Sequence, residues 1–92
     1  MSTPQFKSQE RPGFSMTFEN GWTASVQWHS GAYCGRKSQS YSTDTNPATS
    51  KDAEIAAWDK DGVWYKFSDG DEVRGYCTPD QVAVFLAMVK GF

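Results

Sequence analysis

From residue 14 onward, apolar and polar side chains alternate along the chain. Phe14, Met16 and Phe18 fall on one side and Ser15, Thr17 and Glu19 on the other. After Asn20-Gly21 the alternation resumes, with Trp22, Ala24, Val26 and Trp28 set against Thr23, Ser25 and Gln27. Asn-Gly ordinarily marks a two-residue hairpin loop. Parity forbids it here, because such a loop pairs Phe18 with Thr23 and sets apolar residues opposite polar ones throughout. A loop of Glu19, Asn20 and Gly21 pairs Phe18 with Trp22, Met16 with Ala24 and Phe14 with Val26, and gives Gly21 the left-handed backbone position. A second hairpin follows the same logic. Residues 53–59 and 63–68 flank Lys60-Asp61-Gly62, pairing Trp58 with Trp64, Ala57 with Tyr65 and Ile55 with Phe67. Its predicted core face holds Ile55, Ala57, Val63, Tyr65 and Phe67. The opposite face holds Glu54, Ala56, Lys66, Ser68 and the two tryptophans. Asp59-Lys60-Asp61-Gly62 has the opening of a calcium loop, but Ser68 stands where the closing Glu belongs, so it reads as a turn.

Asp69-Gly70 turns the chain into a short strand over 72–77, and Thr78-Pro79-Asp80-Gln81 then starts a helix. Thr78 serves as cap, Pro79 suits the first helical position and Gln81 completes a capping box. The helix is expected to run to Lys90, with Gly91 beyond its end. The fold class read from this order is α+β: an antiparallel sheet of about five strands, from two hairpins plus a short strand, with one C-terminal helix packed on one face. Residues 1–12, with two prolines and little apolar content, read as a flexible tail; 13–92 read as a single small domain.

Composition adds limits. Leu, Ile, Val and Phe total only fourteen of 92 residues, but the aromatic share is 15% and the net charge −2, which favours a folded, aromatic-rich core. The longest apolar run, 82–89, is too short to span a bilayer, and the N-terminal residues show no export signal. A cytoplasmic location is therefore expected. A pI near 5.2 speaks against general nucleic-acid binding. Cys34 and Cys77 read as free thiols in a reducing compartment; a bridge between them, closing a long loop, is the alternative. With His29 they offer three unclustered ligands, short of a structural zinc site. No metal, cofactor or catalytic residue is predicted, and the chain reads as a non-enzyme.

Three surfaces remain for function. On the helix, Val82, Phe85, Leu86 and Val89 form a docking stripe, leaving Val84, Ala87 and Met88 opposite as a contact for a homodimer or partner, unless the tail or the long loop covers them. Trp58 and Trp64, with Asp59 and Asp61 beside them, form a candidate protein-binding face. Residues 52–72 carry seven carboxylates against two lysines, a charge suited to a basic partner. The Ser/Thr-rich segment 29–52 contains Tyr33, Arg36, Lys37 and Tyr41, residue types that hold an anionic ligand or stack on a base.

Three blocks carry a resemblance: Phe18-Glu19-Asn20-Gly21-Trp22 with Ser25-Val26-Gln27-Trp28; Ala53-Glu54-Ile55-Ala56-Ala57-Trp58-Asp59 with Gly62 and Trp64-Tyr65; and Gly75-Tyr76-Cys77 with Pro79-Asp80. Together they resemble small uncharacterised proteins encoded in bacteriophage genomes. The resemblance implies a phage-type accessory protein inside a host cell, and brings no catalytic motif. Two functions are expected on this footing. One is to bind and block a host protein, such as an antiviral defence component. The other is to act as an oligomeric sponge for an anionic nucleotide signal.

Overall fold

The computed structural model describes residues 3–92. Five strands and one helix follow in chain order: β1 Gln5–Ser8, β2 Gly13–Thr17, β3 Thr23–Gln27, β4 Ala53–Trp58, β5 Arg74–Cys77 and α1 Pro79–Lys90. The sheet is an open antiparallel meander in that same order, with α1 laid against β3, β4 and β5. The fold class is the expected one: α+β, one five-stranded antiparallel sheet and a C-terminal helix on one face.

The first hairpin has the register that parity demanded. Phe14 lies opposite Val26 and Met16 opposite Ala24. The Phe18 N–H donates to the Trp22 carbonyl at 2.8 Å, and Gly21 turns with φ of 88°. Asn20 has a second task at this tip. Its side-chain oxygen accepts from the Trp22 N–H, while its amide nitrogen donates to the carbonyls of Val89, Lys90 and Phe92 at the end of α1. Val89 and Lys90 belong to the last turn, whose carbonyls lack the donor four residues on that a longer helix would supply, and the Val89 carbonyl is shared with the Phe92 N–H at 3.2 Å. The hairpin tip thus caps the helix C-terminus. The other end of α1 carries the capping box as read, with Thr78 and Gln81 bonded to each other's backbone N–H.

The second hairpin keeps its tip and loses its arm. Trp58 bridges Trp64, the Tyr65 N–H donates to the Ala57 carbonyl at 2.8 Å, and Gly62 takes φ of 80°. Beyond Tyr65 the chain leaves the sheet, contrary to the strand expected over 63–68. Phe67 drops between sheet and helix, where its ring stacks on Phe85 with centroids 5.6 Å apart. Ile55 consequently pairs with Arg74 rather than Phe67, and β5 lies directly beside β4. The physical reason is burial. Phe67 gains a stacked aromatic partner under the helix, and the turn closed by Gly70 N–H to Phe67 carbonyl brings the chain back to the vacated place. Val63, expected in the core, is 62% exposed because the pairing ends beside it.

The fifth strand comes from the segment read as a tail. Residues 5–8 form β1, pairing Phe6 with Met16 and Lys7 with Ser15. Its one apolar residue is too little for a periodicity to register, and main-chain bonds to β2 supply what side chains do not. Of the expected tail, residues 1 and 2 lie outside the described residues.

The core lies between the sheet and α1: Ala24, Val26, Ala53, Ile55, Ala57, Phe67, Cys77, Phe85 and Val89, with Phe14, Phe18, Trp22, Trp28, Tyr65, Val82 and Leu86 packed around them. The helix stripe is the expected one, with Phe85 and Val89 buried. Phe85 is its centre, touching both Phe67 and Tyr65. Replacing Phe85 by Ala is expected to cost about 3–5 kcal/mol in urea unfolding. A loss under about 1 kcal/mol would mean that the helix is not held through this residue.

Candidate functional site

The long connection over 29–52 converges on one buried carboxylate, while Glu54 and Asp52 hold the Tyr33 and Gly35 N–H groups beside it. Asp44, its side chain only 1% exposed, accepts from the Ser30 N–H at 2.9 Å and the Ser30 hydroxyl at 2.6 Å. It also accepts from Arg11 through Nε at 3.0 Å and Nη2 at 2.7 Å, and from Arg36 Nη1 at 3.2 Å. Ser40 initiates a short 3-10 turn, Tyr41–Thr43, that delivers Asp44 to this point. Burial alone would push the Asp44 carboxyl up. The hydrogen bonds from Ser30 and Arg11, together with the Arg11 charge, outweigh it and hold the carboxyl well below the usual carboxylate range.

This network decides the fate of the expected ligand residues. Arg36 is buried, donating to the carbonyls of Trp28 at 2.9 Å and Thr43 at 2.8 Å as well as to Asp44. Its guanidinium therefore faces the interior, and the expectation that it meets a ligand is corrected on that ground. Lys37 sits over the Tyr33 ring at 4.7 Å, whereas Tyr41 lies beneath the Arg11 guanidinium at 4.5 Å. Tyr33, Arg36, Lys37 and Tyr41 thus divide among an aromatic–cation pair, a buried ion cluster and a second stacked pair.

The thiols are free and buried. Cys34 donates to the His29 carbonyl at 3.6 Å, and Cys77 to the carbonyls of Arg74 and Gly75. Burial pushes the Cys77 thiol up, away from the reactive thiolate. His29 is pushed below its ordinary value by burial and by the Arg11 cation, and its Nδ1 accepts from the Gly31 N–H at 3.1 Å.

Trp58 and Trp64 come together as the pairing rule required. Their ring centroids are 5.0 Å apart at 32°, with Trp58 half-buried and Trp64 40% exposed. Asp59 closes the adjacent turn, its Oδ1 accepting from the N–H groups of Asp61 and Val63 at 2.9 Å each. Asp61 is exposed at the tip. Asp59 is therefore a turn residue first, while Asp61 presents its charge to solvent. Alternation along β4 sets Trp58 and Ala56 on the side away from Ile55 and Ala57, so the pair stands on the sheet face that α1 leaves uncovered. Ser15, Thr17, Thr23, Ser25 and Ala56 continue this face. Thr17 and Thr23 share a hydroxyl hydrogen bond of 2.9 Å across the strands. The predicted companions Lys66 and Ser68 are exposed but lie beyond the end of the pairing. Within this floor Ser15 and Ala56 are buried and Thr17, Thr23 and Ser25 half-buried, a packing that each residue, read singly as a solvent-side position, does not announce.

On the helix, Val84 is 72% exposed, and Ala87 and Met88 are exposed with it. Among the described residues, neither 3–12 nor 29–52 covers them. Val84 and Met88 line a groove of about 590 Å³ with Tyr76, Arg74 and Phe85. An apolar cavity of about 370 Å³ lies on the same side of the sheet, between Trp28, Val82 and Cys77. Comparison of the chain with protein-family models, with curated proteins and with solved structures finds no match. No helix among the described residues is long and apolar enough to cross a membrane.

The shift on Asp44 has a direct consequence for stability. Its folded value lies below the ordinary 3.8, so as pH falls the unfolded chain takes up this proton first. The stabilisation is complete above about pH 5 and is lost progressively as pH drops through the ordinary carboxylate value toward the depressed folded one. Thermal unfolding followed across this range is expected to show a steep loss below about pH 4 that Asp44→Asn, already less stable at neutral pH, lacks. Parallel pH profiles for the two proteins would contradict the assignment.

Proposed function

We propose that this protein works by binding rather than by catalysis, as a phage-type accessory protein that occupies and blocks a host protein through its Trp58/Trp64 face. The observation that carries this reading is the tryptophan pair itself. Two large indole rings pack 5.0 Å apart on a sheet face without a covering helix, and one of them is 40% exposed. Rigid aromatic anchors surrounded by small polar residues are the usual centre of a protein–protein contact, because they lose little rotamer freedom on docking and exclude much water. The exposed carboxylate of Asp61 beside them, in an acidic stretch of the chain, suits a partner with a basic patch. The resemblance to phage-encoded proteins adds the host setting and makes an antiviral defence component the expected class of target.

The nucleotide-sponge reading is less well supported. Arg36, the cation it relied on most, is engaged with Asp44 and two carbonyls inside the loop.

The test pairs Trp64→Ala with Asp61→Lys, leaving Asp59 in place to hold the turn. In affinity capture from host lysate, the wild-type chain is expected to retain a specific protein and the double variant to lose it at least tenfold. The double variant should keep its circular dichroism spectrum. Equal retention by both would overturn the assignment of this face.

A further inference from the structure

The open sheet has two edges, and they are not alike. At the β5 edge the Tyr76 N–H donates to the Tyr33 carbonyl at 2.8 Å, so the 29–52 segment lies against that strand. At the other edge lies β1, where every residue is exposed and Phe6 is 78% exposed. Among the described residues, no strand pairs its outer side. The direction of the free groups follows from the ladder. Gln9 donates its N–H to the Gly13 carbonyl, so alternation points the main-chain groups of Lys7 and Gln5 toward β2, and those of Phe6 and Ser8 outward. Pro4 falls in the outward set, where its missing N–H costs no bond to β2.

We infer that β1 is the contact between two copies of this chain, pairing antiparallel with its own symmetry mate to join the two sheets into one. A two-fold axis normal to the sheet permits only registers in which paired residue numbers sum to an even value, since side chains opposite each other must share a face. The register with Phe6 opposite the partner's Phe6 pairs every outward N–H, leaving only the Ser8 carbonyl, which meets Pro4, to solvent. Each Phe6 exchanges both main-chain hydrogen bonds with its mate, and each Ser8 N–H reaches the partner's Pro4 carbonyl. Lys7 then faces the partner's Gln5. The neighbouring register centred on Lys7 sets two like charges opposite each other, which is unfavourable. Phe6 shares its sheet face with Met16 and Phe14, both half-buried, over β1 and β2, which α1 does not reach. Joining the copies brings two such apolar strips together, which gives this edge a second copy as its occupant rather than an unrelated strand.

The test is made on the full chain. Sedimentation equilibrium at tens of micromolar is expected to give twice the chain mass of 10.3 kDa. Phe6→Pro, which removes the outward N–H and the exposed ring without breaking a main-chain bond to β2, is expected to halve that mass, whereas Val84→Glu with Met88→Glu leaves it unchanged. Phe6→Cys gives a reading that does not depend on tolerance of proline. A hydrogen-bonded antiparallel pair holds its Cα atoms about 5.5 Å apart, within disulfide reach, so mild oxidation should yield a covalent dimer. A wild-type monomer would overturn the proposal. So would a dimer lost through the helix substitutions, or a Phe6→Cys protein that fails to cross-link.

Discussion

A buried carboxylate with too few partners destabilises the fold around it, and Asp44 escapes this only by drawing distant parts of the chain together. Five donors converge on it, two from Ser30, two from Arg11 and one from Arg36. Arg11 precedes β2, Ser30 follows β3, and Arg36 lies deeper in the connection that leads to β4. One side chain therefore links the residues before β2, the residues after β3 and a long, apolar-poor segment. The excess of guanidinium over carboxylate is accommodated as well, since Arg36 passes its remaining donors to the carbonyls of Trp28 and Thr43. The connection needs no hydrophobic core of its own, because a charged centre takes that place.

The opposite end of the sheet is closed by a different device. Asn20, at the tip of the first hairpin, donates to the last carbonyls of α1 and ties the helix C-terminus to the turn. Between these two ends the helix lies over β3, β4 and β5 and buries Phe85 against Phe67. The other sheet face is left to Ser15, Thr17, Thr23, Ser25, Ala56 and the Trp58/Trp64 pair. Arg36 of the connection is committed to structure, while Lys37 and Trp64 remain exposed.

How much of this was legible along the chain depended on the range of the interactions. The first hairpin and the helix caps were readable because their determinants lie within a few residues: strict alternation around Asn20-Gly21, and Thr78 with Gln81 across one turn. The Trp58–Trp64 contact came from the same parity argument. The arm beyond Tyr65 was misread because alternation cannot distinguish Phe67 facing the core from within a strand from Phe67 leaving the strand to stack on Phe85. Strand β1 carries one apolar residue and is held by main-chain bonds that no side-chain pattern reports. Arg36 was assigned to a ligand for a related reason. Its true partner, Asp44, also meets Arg11 thirty-three residues away, and nothing in a Ser/Thr-rich segment marks which carboxylate is buried.

The measurement that bears most directly on the account is hydrogen–deuterium exchange of the wild-type protein and Asp44→Asn at neutral pH. The ion cluster is held to order the connection without carrying the core. The substitution should therefore accelerate exchange most across residues 29–44, beginning with the Ser30 amide that Asp44 accepts from, while β3, β4 and α1 lose only the smaller protection that the drop in global stability sets. Unchanged exchange over 29–44 would show that the connection is held by something other than this carboxylate. Uniform acceleration through the sheet would show that the cluster and the core are one cooperative unit.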